Sequence, residues 1–155
     1  SDPMLKKNIV KFLATGAYAG CFPVAPGTAG TAAGVIIVWL ASLFSPFVQI
    51  AATAVILALS IPIASAGLKL FGGKDPGQIV FDEIAGTMVS FFLMPVNAPS
   101  IILLFMLFRF FDIVKPFPAG VIDRKLEGGA GVVLDDVAAG IYANIAGRFI
   151  LWLLV

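Results

Sequence analysis

The sequence predicts an all-α fold: a small polytopic membrane domain of about five transmembrane or re-entrant helices, with a Gly/Pro-rich N-terminal loop. Three observations carry this. Hydrophobic residues make up 60% of the 155 and charged residues only 12%. A soluble domain is about a quarter charged, so the polar residues needed to coat a water-facing surface are missing. The apolar residues lie in long runs interrupted by proline, glycine and charge. The charges, finally, recur between alternate runs rather than between all of them.

Ser1, Asp2 and Pro3 precede Met4 and read as an expression scar, which leaves a single domain over residues 4–155. The basic stretch after Met4 leads into no long apolar core and no cleavage site, so no secretory signal peptide is expected. Residues 14–31, ATGAYAGCFPVAPGTAGT, are too rich in glycine, alanine and proline for a spanning helix. Irregular backbone at membrane depth survives only where it is buried or lines a cavity. Thr28 stands ahead of the first apolar run and is expected to be its N-cap. That run covers residues 31–44 and is broken by Ser45-Pro46. The second covers 47–70, with a kink expected at Pro62. The third covers 79–94 and ends in the turn at 95–99; the fourth covers 100–111. Gly128, Gly129 and Gly131 are expected to form a flexible turn before the fifth, over 132–155. A full span needs about 20 apolar residues. The second and fifth runs meet that; the others must tilt, borrow flanking residues or be partly buried by protein.

With five spans, all charged residues except Arg148 fall on the side of the N-terminus. The turns around Ser45-Pro46 and residues 95–99 hold none. The positive-inside rule makes the charged side cytoplasmic. Arg148 is expected to snorkel to the opposite interface near Trp152. The net charge of +1 excludes a broad nucleic-acid-binding surface. Histidine is absent and Cys21 is the sole cysteine. Chemistry therefore falls to carboxylates, lysine, arginine, hydroxyls and backbone amides.

Four stretches on the charged side could carry it. VFDEIAG, 80–86, places Asp82 and Glu83 at the start of the third run. FRFFDIVKPFP, 108–118, sets Arg109 and Asp112 on one helix face, followed by Lys115. DRKLEGGAGVVLDDVAAG, 123–140, carries Arg124 and then Asp135 and Asp136 inside an apolar run. Acids also suit a helix N-terminus for its dipole alone, and Arg109 with Asp112 also reads as a local ion pair. An acid at membrane depth is costly, however, and points to function. Asp82, Glu83, Asp112, Asp135 and Asp136 come from three helices at one depth and would repel without a counter-ion. Oxygen-only ligands point to Mg²⁺ rather than Zn²⁺, with Asp82, Glu83, Asp135 and Asp136 as ligands and Asp112 as a further ligand or general base. The alternative is neutralisation by Arg109, Lys115 and Arg124. The fourth stretch is the loop at 14–31, where Gly27 and Thr28 at a helix N-terminus would offer donors to a phosphate. The sum is a metal-dependent phosphatase site at headgroup level, with Arg109, Lys115 and Arg124 neutralising phosphate oxygens.

These motifs resemble the phosphatidylglycerophosphatase A family. ATGAYAGCFPVAPGTAGT, KDPGQIVFDEIAG and FRFFDIVKPFPAGVIDRKLEGGAGVVLDDVAAG follow the family's order and spacing. The resemblance implies a bacterial inner-membrane enzyme of phospholipid synthesis, facing the cytoplasm. It would hydrolyse the lipid phosphatidylglycerophosphate to phosphatidylglycerol and phosphate with Mg²⁺. It carries the motif acids onto Asp82, Glu83, Asp112, Asp135 and Asp136, the motif cations onto Arg109, Lys115 and Arg124, and the loop threonine onto Thr28. Thr31 stands where a serine is common in the family. Direct attack by water and a phospho-aspartate route both remain open on these residues. A small transporter or channel using the acids as a cation site is the runner-up; the outer halves of the runs hold almost no polar residues to line a pathway. A non-catalytic membrane scaffold leaves the clustered acids without a purpose.

Overall fold

The computed structural model describes residues 2–155. Its described residues form seven α-helices and a short 3₁₀ turn, with no strand. The helices are α1 (Pro3–Ala14), α2 (Pro26–Ser42), α3 (Pro46–Phe71), α4 (Phe81–Ser90), α5 (Ala98–Val114), α6 (Ala119–Lys125) and α7 (Gly128–Leu154). The all-helical expectation holds. Two helices, α3 and α7, are long and apolar enough to cross a membrane. Large apolar side chains stand exposed along the outside, among them Ile36 and Trp39 on α2, Ile102 and Met106 on α5, and Ile145 and Phe149 on α7. Water-soluble monomers rarely expose apolar surface so continuously, and the chain is membrane-associated.

Several boundaries differ from the sequence reading, each for a local reason. Residues 3–14 form α1, an element that the sequence does not lead one to expect. Asp2 caps it by accepting from Met4 N–H at 2.9 Å, and Pro3 opens it. Ser1 of the expected scar lies outside the described residues; Asp2 and Pro3 act as parts of α1. The helix α2 starts before Thr28, because Pro26 already has the φ that a first helical residue needs. Ala25 is its N-cap and Thr28 is the third helical residue, so the N-cap expectation is corrected. α3 matches its apolar run and continues through Pro62. α6 was not foreseen. The expected Gly-rich turn at Gly128, Gly129 and Gly131 is instead the first turn of α7. A Cβ on Gly129 would run into Ser65 and Ile61 of α3. Glycine there brings α7 against α3 rather than loosening the chain.

The largest departure is the third apolar run. Only Phe81–Ser90 is helical, about 15 Å at 1.5 Å per residue. This is half a span, and nearly all of it is buried. α4 is the hub, packed against α2, α3, α5 and α7. Small residues allow the approach: a Cβ on Gly34 of α2 would lie 2.8 Å from Thr87 of α4.

A half-helix inside an apolar bundle leaves carbonyls without partners at its C-terminus. Asn144 of α7 donates to the carbonyls of Val89, Ser90 and Phe92 at 3.2, 3.0 and 2.9 Å. Arg148 donates to the carbonyls of Phe92 at 2.7 Å and Leu93 at 3.2 Å, and to Asn144 Oδ1 at 2.7 Å. Arg148 thus closes the end of α4, a more specific task than snorkelling.

Candidate active site

The acids meet because α4 and α7 cross at two glycines. A Cβ on Gly140 would strike the Gly86 carbonyl, and a Cβ on Gly86 would lie 2.7 Å from the Asp136 carbonyl and 2.5 Å from the Phe108 ring. With no side chain at either position, the backbones touch. One helical turn above that contact, Asp82 and Glu83 of α4 face Asp136 of α7. One carboxylate oxygen from each of the three lies within 4.8 Å of the others. Asp82 and Asp136 are buried. Asp82 Oδ1, Glu83 Oε2 and Asp136 Oδ2 are buried without a hydrogen-bond partner. Leaving several such oxygens unmatched in an apolar bundle is costly. Three convergent carboxylates, each with a buried unmatched oxygen and with no nitrogen or sulfur ligand beside them, fit a hard divalent cation.

The other two acids serve differently. Asp135, also buried, points to Lys115, whose Nζ donates to it at 2.5 Å, and its Oδ1 accepts from Asp136 N–H at 2.9 Å. Asp112 accepts from Arg109, one turn earlier on α5, and lies beside Asp136. Lys115 ends α5 in the left-handed region, φ 51°, which turns its side chain back toward α7. Burial works against its charge, but the bonded Asp135, with Asp136 and Asp123 nearby, outweighs this and holds its pKa above the ordinary lysine value. Lys115 is therefore a fixed cation at the rim.

Gly27 and Arg109 form the cationic wall. A Cβ on Gly27 would lie 3.0 Å from Arg109 Nη1, so glycine lets the guanidinium lie flat against the start of α2. Gly27 is the second helical residue, and its N–H has no acceptor within the helix. Arg109 Nε is buried and unpartnered. Thr28 is exposed beside Gly27. Arg124 is exposed at the end of α6 with its guanidinium near Gly120, and it forms no ion pair among the described residues. Two acids that the sequence reading did not single out belong to the surroundings. Asp123 lies 3.5 Å from Lys115. Asp75, in the loop before α4, has its pKa raised by lost hydration first and then by the charge of Asp82. Its place in the Lys74-Asp75-Pro76-Gly77 turn leading into α4 was the available signal.

A family model described as phosphatidylglycerophosphatase A matches residues 12–151, which include every one of these side chains. The chain belongs to the phosphatidylglycerophosphatase A family. A phosphatidylglycerophosphatase A of Haemophilus influenzae is 40% identical over 140 residues, covering 89% of this chain and 86% of the relative. One of Escherichia coli is 33% identical, covering 83% and 76%. A relative from Bacteroides thetaiotaomicron, provisionally named a phosphatidylinositol-3-phosphatase, is 39% identical, covering 92% and 93%. No solved structure matches the chain. Membership of the phosphatidylglycerophosphatase A family makes the protein a phosphoric monoester hydrolase.

Proposed function

We propose that the protein is a Mg²⁺-dependent phosphatase that converts phosphatidylglycerophosphate to phosphatidylglycerol and phosphate during phospholipid synthesis. It does so as a multi-pass protein of a bacterial inner membrane, with its acids facing the cytoplasm. The observation that carries this reading is the set of three unpartnered carboxylate oxygens on Asp82, Glu83 and Asp136, walled by the Arg109 and Lys115 cations. The relatives' names supply the lipid. The near-absence of charge on the far side supplies the orientation.

Asp82, Glu83 and Asp136 would hold the ion, with Asp135 supporting from behind through its bond to the Asp136 amide. Bound there, the ion would neutralise phosphate oxygens and lower the pKa of a coordinated water. Arg109 offers its free Nε to a phosphate oxygen while Asp112 keeps its fork in place. Gly27 N–H, at the positive end of α2, offers a second donor to the same anion. Lys115 keeps its proton and adds fixed positive charge as the ester oxygen leaves. Asp112, next to Asp136, would take a proton from an attacking water, and the departing ester oxygen would take one from solvent.

The direct test is phosphate release from phosphatidylglycerophosphate by purified protein with Mg²⁺ and after chelation. Release with Mg²⁺ and its loss on chelation are expected. Equal release in both, or none in either, overturns the reading. Mn²⁺ binding read by electron paramagnetic resonance gives a second readout: wild type should bind, and Asp136→Asn should not.

A further inference from the structure

A cleft of about 530 Å³ opens where α3 and α7 part. The two helices touch near Gly129, Ile61 and Ser65, then diverge. Because α4 stops after half a span, nothing fills the space between them; Val89 of α4 and Phe92 just after it line the cleft there. The size is that of a small-ligand pocket. The walls are apolar, with only two polar side chains, Thr53 and Asn144. Both are spent. Thr53 donates to the Gln49 carbonyl at 2.9 Å, while the Asn144 amide donates to three carbonyls and accepts from Arg148. A polar occupant would find no partner here, so the cleft selects a hydrocarbon.

Its position says which hydrocarbon. The lining begins at Val137, the residue after Asp136, and continues along α7 through Ile141 to Ile145. At 1.5 Å per residue this is about 12 Å, directed from the level of the acids into the apolar layer. We propose that this cleft takes one acyl chain of the lipid whose phosphate the acids act on, fixing the headgroup's depth and orientation. This rests on the proposed phosphatase activity and adds a chain-binding subsite to it. A phosphate ester lacking long chains would bind only through Arg109, Gly27 and the ion.

Two measurements test it. The first compares dihexadecanoyl with dihexanoyl phosphatidylglycerophosphate, using wild type and Ala54→Phe, which narrows the cleft away from the acids. The ratio of long-chain to short-chain kcat/KM should fall about tenfold, through KM. An equal fall for both substrates, or no change, overturns the proposal. The second does not depend on turnover. Phosphatidylglycerol carrying a mid-chain diazirine is photolysed with the wild-type protein, and the adducts are mapped. Adducts at Ala54, Val137 and Ile141 that excess unlabelled phosphatidylglycerol removes are expected. Adducts elsewhere, or equal labelling there by a diazirine phosphatidylethanolamine, would show ordinary bilayer lipid or a second copy of the chain against the cleft and overturn it. If wild type releases no phosphate at all, the activity reading fails while the photolabelling still judges the cleft.

Discussion

The two ends of α4 face α7 across the same close crossing and are built on opposite terms. At the C-terminal end, Asn144 and Arg148 satisfy the carbonyls of Val89, Ser90, Phe92 and Leu93. At the N-terminal end, Asp82, Glu83 and Asp136 bury carboxylate oxygens that no protein group matches. Burying an unmatched polar group in an apolar bundle is costly at either end, and more so for a carboxylate than for a carbonyl. The bundle meets that cost with its own side chains at one end and leaves it open at the other. An unmet requirement on three convergent carboxylates is one that the proposed ion would meet, and the difference between the ends separates what holds the fold from what the proposed reaction needs.

The comparison breaks most directly at Asp136. Asp136→Asn removes a proposed ligand and part of the repulsion among the acids. Activity should fall about 10³-fold, the scale of roughly 4 kcal/mol of lost transition-state stabilisation. In metal-free detergent solution the variant should melt no lower than wild type, and in fact somewhat higher. A melting temperature that drops together with activity would mean that the N-terminal end of α4 is structural like the other end. Next comes Gly140→Ala, which forces the backbones apart where both ends are held. The overpacking should cost about 1–3 kcal/mol and separate Asp82 and Glu83 from Asp136. Thermal melting should fall, and Mn²⁺ affinity should weaken with it. A variant with unchanged metal affinity would show that the glycine contact does not set the site.

Asn144→Leu is the converse of Asp136→Asn and a smaller effect on turnover. It removes the amide donor from three carbonyls and leaves that of Ser90 with none, while Phe92 keeps Arg148 and Val89 keeps the Phe92 N–H, at a cost of about 1–3 kcal/mol. Stability should drop while Mn²⁺ affinity stays within about threefold of wild type. Loss of metal binding at unchanged stability would contradict the division between the two ends.

The fold and the site differed in how much the sequence disclosed. α3 was legible almost to the residue, because its apolar run is bracketed by Ser45-Pro46 and Gly72-Gly73. α4 was not: beyond Glu83, residues 84–94 are apolar except for Thr87 and Ser90, and nothing in their composition says that the helix stops at Ser90. What stops it is tertiary, the donors on Asn144 and Arg148, more than fifty residues away. The convergence of Asp82, Glu83 and Asp136 was legible from motif spacing and the expected alternation of spans. The division of labour within the acids was not. Asp135 and Asp136 are adjacent in sequence, but side chains one residue apart on a helix point in different directions. One therefore meets Lys115 and the other meets α4. Gly27 stood out as a phosphate-loop residue, whereas its service as a seat for Arg109 required the packing of α2 on α5.

Asp75 offers the finest distinction between matched and unmatched charge. It lies in the loop before α4, and its pKa in the folded protein is raised, first by lost hydration and then by Asp82. A carboxyl whose folded pKa exceeds its unfolded value contributes its stability below the unfolded pKa. That contribution disappears as pH rises through the folded pKa. The wild type should therefore lose a little metal-free stability as pH rises above the ordinary Asp value of about 4 on this account. Asp75→Asn cannot ionise and should not show that component. Melting curves of both proteins at pH 4 and pH 7.5, without divalent ions, should nearly coincide at the lower pH, with the variant a degree or so higher at the upper. If wild type instead gains on the variant as pH rises, the ionised Asp75 is being stabilised by a cation, and the loop belongs to the satisfied part of the molecule.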